Sequence, residues 1–390
     1  MPRIAEIFLA FLRLGLTSFG GPIAHLGYFR DEFVLRRKWL DEAAFADLVA
    51  LCQFLPGPAS SQVGFSLGVL RGGLAGGAAA WAGFTLPSAF LLLAAALGAA
   101  TLDGRLAHGI LHGLKLVAVV VVAQAVFGMA QKLTPDRPRA AIALAAIALA
   151  LLPGGAAGQV AAIIVGALAG LVLCRGAAAP ATGHLAFPVG RTAAVVALAL
   201  FAALLLLTPL LAAADQGVAL FAAFYRAGAL VFGGGHVVLP LLQAETVAPG
   251  WVTPDSFLAG YGLAQAVPGP LFTFSAYLGA VSGPAPHGVA GAAIALAGIF
   301  LPGLLLVYGT LPFWDALRRR PFAQAAMRGA NAAVVGILAM ALYNPVWISA
   351  VLTPLDFGLA AAGFVLLMLW KLPPWVIVLL LGAAGGLATL

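Results

Sequence analysis

Charge is what this chain has least of. Among 390 residues only 13 are Asp or Glu and 20 are Lys or Arg, while 63% are hydrophobic. A soluble domain carries about 25% charged residues, so these cannot cover a water-exposed surface. That excludes a soluble enzyme and implies a protein embedded in a lipid bilayer. Cysteine is scarce too: Cys52 and Cys174 make no disulfide framework, and Cys52 reads as a small packing residue. No GxxxxGK[ST] phosphate loop and no cofactor fingerprint occur, so neither ATP nor a cofactor is expected. The net charge of +7 is no nucleic-acid footprint, because no basic domain stands outside the apolar stretches. The start, MPRIAEIF, lacks a signal-peptide cleavage pattern and is expected to stay in the mature chain.

What is present is long apolar runs. A membrane β-barrel would show short alternating segments. Here Ala, Leu, Val and Gly run on past the ~18 residues that span a bilayer as a helix. The expectation is an all-α polytopic membrane protein with about 13 transmembrane segments. They fall near 4–24, 43–70, 74–100, 107–131, 138–152, 156–174, 191–212, 218–242, 256–282, 286–310, 322–343, 346–369 and 373–390.

The chain also repeats itself. FLRLGLTSFGGP at 11–22 returns as FYRAGALVFGGG at 224–235, with Phe11/Phe224, Arg13/Arg226, Gly15/Gly228, Phe19/Phe232, Gly20/Gly233 and Gly21/Gly234 identical. WLDEAAFADLVALCQFLPGP at 39–58 returns as WVTPDSFLAGYGLAQAVPGP at 251–270. That block keeps Gln53, Pro56, Gly57 and Pro58 of the first copy as Gln265, Pro268, Gly269 and Pro270 of the second. The spacing between blocks differs by one residue. Residues 1–174 read as the first repeat, 175–216 as a linker with an extra helix, and 217–390 as the second repeat. If 43–70 crosses the bilayer once, an odd number of crossings separates the copies, giving an inverted repeat with helices broken at Pro-Gly-Pro. If it re-enters without crossing, the copies are parallel. Most loop Lys and Arg fall on the side of the N-terminus, which points to a cytoplasmic N-terminus. Arg36, Arg37 and Lys38 fall on the wrong side, and 29–48 reads as an amphipathic helix at the interface.

Arg13 lies nine residues past Ile4, roughly 14 Å into a core about 30 Å thick. A guanidinium there faces a polar cavity, a carboxylate or a ligand. Few acids stand near Arg13 or Arg226 in sequence, and a planar fork of donors suits a tetrahedral oxyanion. The glycines at 20–21 and 233–234 weaken their helices, and a broken helix offers free N–H groups to an anion. Pro-Gly-Pro cannot continue a helix, and unwound backbone at membrane depth survives only inside protein or beside water. Ser60, Ser61 and Gln62 follow one break, Thr273 and Ser275 the other. His25, His236 and Glu245 are candidates for proton coupling, with Glu6, Asp47 and Asp255 the other acids near the apolar core. His108 and His112 share a helix face but lack a third metal ligand. Lys115 and Asn331 match if Gly113 aligns with Gly329. Faces with Gly72-Gly73 and Gly76-Gly77 pack within the chain or across a homodimer.

Together the Phe-Gly-Gly and Gln-x-x-Pro-Gly-Pro elements of both halves resemble the chromate ion transporter superfamily in its long, two-domain form. The resemblance covers nearly the whole chain. It implies an inner-membrane protein that exports chromate with the proton gradient and confers chromate resistance. It also implies functional roles for Arg13, Gly20, Gly21 and 53–58, with Arg226, Gly233, Gly234 and 265–270 as counterparts. The halves differ where Gly235 replaces Pro22 and Phe272-Thr273-Phe274 replaces Ser60-Ser61-Gln62, so they are not equivalent ligands. A sulfate transporter or an anion channel remains the alternative, since sulfate has the same shape and charge.

Overall fold

The computed structural model describes residues 2–99, 104–151, 155–175, 187–317 and 320–389, and every regular element among them is helical. Much of the stretch read as a linker, 176–186, lies outside the described residues, as does the 152–154 end of the turn between the segments 138–152 and 156–174. The first half runs α1 (Pro2–Thr17), α2 (Gly21–Phe29), a π-turn (Arg30–Arg36), α3 (Glu42–Phe54), α4 (Ala59–Ala99), α5 (Arg105–Leu133), α6 (Arg137–Ala150) and α7 (Gly155–Leu173). The extra helix α8 (Arg191–Leu211) follows. The second half runs α9 (Gln216–Ala229), α10 (Val238–Thr246), α11 (Pro254–Ala264), α12 (Phe274–Val281), α13 (Gly288–Thr310), α14 (Pro321–Ala341), α15 (Pro354–Met368) and α16 (Pro374–Leu387).

Among the described residues five helical stretches are long and apolar enough to cross a membrane: 59–98, 105–133, 191–211, 288–313 and 321–350. The segments 4–24, 43–70, 218–242 and 256–282 are instead cut in two. Their breaks fall at glycines with positive φ: Gly20, Gly21, Gly57, Gly233, Gly234 and Gly269. Such backbone is strained for any residue with a Cβ. α3 has 13 residues, about 20 Å at 1.5 Å per residue, short of a full crossing.

The short helices fold back as hairpins. Arg37 near the end of the first hairpin pairs with Glu6 near its start, 2.9 Å apart. Trp39, ahead of α3, has the guanidinium of Arg71 over its ring at 5.6 Å, so the second hairpin also returns to where it began. At Gly72-Gly73 α4 then reverses, leaving limbs 59–71 and 74–99 packed through Gly68 and Gly76 with no room for a Cβ. In the second half the N–H of Gly283, past α12, donates to the carbonyl of Trp251, ahead of α11, at 2.8 Å. Gly279 of α12 meets Gly291 of α13 as Gly68 meets Gly76.

The glycine faces at 72–77 thus pack within the chain. The stretch 29–48 is not one continuous helix: the π-turn ends at Arg36, 37–41 are non-helical and α3 begins at Glu42, with Phe29, Phe33 and Phe45 buried in a cluster with Phe11.

Direction is set by α13. Its Phe300–Thr310 end leaves the centre alongside the first limb of α4, with Gly303 against Gly57 and Tyr308 against Phe65. Beyond it, Trp314 donates its indole N–H to Asp47 at 3.1 Å. The second limb of α4 starts at that same end, where Gly72 and Gly76 meet Ile4 and Ile7, and so runs opposite to α13. Matched contacts recur: Gly83 sits on Phe8 and Leu12 of α1, and Gly298 on Phe221 and Tyr225 of α9.

The last two helices of each half are exchanged. α6 and α7 pack on α14, with Gly166 and Gly170 against Gly329. α15 and α16 pack on α5, with Gly113 under the Leu381 carbonyl. Gly113 and Gly329 are therefore equivalent contact points. Helix α8 covers α9 and α13, where Gly309 meets Leu198, and among the described residues no comparable helix covers α1.

Candidate functional site

All four breaks meet at the centre. The N–H of Gly57 donates to the carbonyl of Val231 at 2.7 Å, and the N–H of Gly269 donates to the carbonyl of Ser18 at 2.9 Å. Ser18 and Val231 occupy matching places in the repeat. Each Pro-Gly-Pro loop is thus completed by the other half's unwound helix end. Gly57 also lies against Gly303 of α13, and Gly269 against Ser88 of α4. A Cβ on Gly57 would stand 3.0 Å from the Gly303 Cα, closer than side chains normally approach. The Pro-Gly-Pro elements are where the halves join, which is more than a packing kink.

The prolines of these loops shape the break and have no N–H to give an anion. Pro268 is buried, as are Pro58 and Pro270, so the expectation that Pro268 meets substrate directly gains no support from its place in the fold. Its counterpart Pro56 is half-buried, with its carbonyl taken by Gln62. The two glycine N–H groups are likewise spent on closing the centre.

The polar residues after each break behave differently. Gln62 donates from Nε2 to the carbonyls of Pro56 (2.9 Å) and Gly303 (3.0 Å), strapping the loop to α13. Its counterpart Phe274 packs on Phe257 and Tyr261 instead. Thr273 donates to the carbonyl of Pro270 at 2.7 Å. Ser60 and Ser61 are buried, and Ser60 Oγ lies 3.4 Å from His25 Nδ1. Gln53 is exposed, whereas Gln265 is half-buried and reaches the Tyr261 carbonyl at 3.5 Å.

The two arginines part company. Arg226 holds Glu245 with two hydrogen bonds, Nε to Oε1 at 2.6 Å and Nη2 to Oε2 at 2.5 Å. Glu245 is 19 residues away in sequence and arrives only because α10 folds back on α9, so counting nearby acids misses it. Arg13 is exposed on a face of α1 with Leu9, Leu16 and Thr17, and no acid pairs with it among the described residues. Offset by the same register, Glu245 matches Glu32, which is held by Arg36 and Arg37. Glu32 sits within the π-turn itself, and Arg13 lacks the kind of partner its twin kept.

His236 Nδ1 meets Tyr261 OH at 2.8 Å. Lys115 pairs with Asp255 at 2.9 Å, joining α5 to α11. Asn331 does not copy it: its Oδ1 is buried near Gly233 without a partner among the described residues. His112 Nε2 meets Asp356 Oδ1 at 2.7 Å, a pairing across 244 residues that no local pattern announces. Sequence reading also missed Ser18, Thr85 and Ser88, all buried beside the breaks. A third repeat block held the signal: AGFTLPS at 82–88 against AGIFLPG at 297–303.

The fold and its broken centre define a polytopic helical membrane protein, with no strand among the described residues. The profile of the family described as "Chromate transporter" matches residues 5–173 and again 218–387. The chain belongs to that family, whose members are transport proteins and not enzymes. It is 32% identical to the "Chromate transport protein" of Pseudomonas aeruginosa, over 98% of this chain and 92% of that one. It is 29% identical to the "Probable chromate transport protein" of Synechococcus elongatus, over 85% and 82%. Against the "Chromate transport protein" of Cupriavidus metallidurans it is 26% identical, over 86% and 80%. No solved structure matches.

Proposed function

We propose that this chain is a secondary active transporter that exports chromate across the inner membrane in exchange for protons, and so confers chromate resistance. The observation that carries the reading is the reciprocal closure of the centre by the two halves. The names of its relatives supply the anion. Sulfate, of equal shape and charge, is the competing substrate.

The halves form an inverted repeat. Both N-terminal segments of each half return as hairpins, so two crossings drop out between the copies and the count stays odd. The same change removes the charge anomaly. Arg30, Arg36, Arg37 and Lys38 join Arg3, Arg71, Lys132, Arg137, Arg139, Arg175, Arg191, Arg320 and Lys371 at one end, opposite Arg105. By the positive-inside tendency that end, with the N-terminus, is cytoplasmic.

Alternating access follows from an asymmetry. Helices α5 and α14 both lean on the second half's hairpins, with Gly262 under the Leu114 carbonyl. The matching Ala50 and Gln53 of the first half are exposed. Rocking would move α5 and α14 from α10–α11 to α2–α3. Glu245 is the proton acceptor we favour, because protonation would loosen the Arg226–Glu245 pair that ties α10 to α9. In inverted vesicles, chromate uptake should require a proton gradient and fall in Arg13→Ala. Wild-type uptake unchanged after the gradient collapses would remove proton coupling.

A further inference from the structure

The two halves close the centre with the same backbone but different chemistry. In the first half Ser18, His25, Ser60, Thr85 and Ser88 are each at most 2% exposed. Their matches in the second half are Val231, Val238, Phe272, Phe300 and Gly303. The five are held together. The Ser18 backbone lies against the His25 ring. Ser60 Oγ stands 3.4 Å from Nδ1 of that ring. Phe84, next to Thr85, packs edge-on to it at 5.2 Å. Ser88 Oγ donates to the Thr85 carbonyl at 3.0 Å, and Ser88 touches Gly269, whose N–H caps Ser18.

Ser18 Oγ, His25 Nε2 and Thr85 Oγ1 have no hydrogen-bond partner among the described residues. A buried polar atom left unpaired is costly, because it has given up its water without a replacement. The second half demonstrates that the fold closes with apolar side chains at these places, so the architecture does not demand the hydroxyls. No carboxylate belongs to the group. The N-termini of α2 and α4 start beside it, at Gly21 and Ala59, and helix N-termini favour negative charge.

We infer that the anion site is built in the first half alone, from the Ser18, Ser60 and Thr85 hydroxyls and the His25 imidazole N–H, for a tetrahedral oxyanion. The inference rests on the transport reading above. The second half serves as the apolar wall against which this site opens and closes.

The test grafts second-half chemistry onto the first. Chromate uptake into inverted vesicles is measured for wild type, the double variant Ser18→Val with Thr85→Val, and the isosteric Thr85→Val alone. Ser275→Ala, a buried and equally unpartnered hydroxyl of the second half, is the control. A site that hydrogen-bonds its substrate discriminates strongly when a polar partner is lost. The expected KM therefore rises at least about tenfold in the double variant, severalfold in Thr85→Val and less than about twofold in Ser275→Ala. An unchanged KM in Thr85→Val, or an equal rise in Ser275→Ala, overturns the inference. Should the double variant fail to fold, Thr85→Val decides. Wild-type vesicles that take up neither chromate nor sulfate would instead overturn the transport reading itself.

Discussion

The two halves share one backbone plan and have diverged in what they do with it. In the second, the arginine of the broken helix is sealed by a carboxylate, the hairpins lie under α5 and α14, and the positions around the break are aromatic or aliphatic. In the first, the arginine is open, the hairpin face is uncovered and the matching positions carry hydroxyls. The contrast separates parts that hold the centre together from parts left free to meet a ligand. Features kept in both copies, the positive-φ glycines and the reciprocal N–H bonds, are structural. Features kept in one are candidates for function.

The strongest way to break the comparison is to lock the covered half. Cysteines in place of Lys115 and Asp255, joined by a short reducible cross-linker, should abolish chromate uptake and release it on reduction. Transport by cross-linked protein would mean that α5 need not leave α11. Next come the arginines. Arg226→Gln leaves Glu245 buried and unpaired, a loss of about 3–5 kcal/mol, to be seen as a lower melting temperature in detergent. Arg13→Gln should leave melting nearly unchanged while uptake drops, and equal destabilisation would erase the distinction.

A smaller effect should treat the halves alike. Gly57→Ala and Gly269→Ala each force a Cβ into backbone at φ +123° and +98°, a strain of about 1–3 kcal/mol. Similar losses of folded yield support a shared structural role, and a large difference would count against it. The smallest is Thr273→Val. It removes one satisfied bond to Pro270, worth about 0.5–1.5 kcal/mol, and a change in substrate KM would show that the second half contributes a ligand after all.

Much of this was legible in residue order. The apolar runs, the two copies and the four breaks could be read because each rests on local chemistry: hydropathy, glycine at positive φ, proline without an N–H. What could not be read depends on return paths. Whether Trp39 comes back to Arg71, or Glu245 to Arg226, is decided by how short helices pack. The exchange of α6–α7 with α15–α16 leaves no local trace either, since small residues such as Gly166 and Gly382 suit any close neighbour. The hydroxyl group at the centre was half visible: Ser60 and Ser61 stood out beside Pro-Gly-Pro, while Ser18 and Thr85 looked like ordinary helix residues until the fold gathered them.

The crossed bonds from Gly57 to Val231 and from Gly269 to Ser18 bear on how such a chain can be assembled. Neither half made alone has a partner for its loop N–H at the centre. On the proposed inverted topology, two separately synthesised halves would have to enter the bilayer in opposite senses before either could finish folding. On that same topology helix α8 would turn the second copy over, making that pairing a matter of one polypeptide's own course and removing any need for a chance meeting between two.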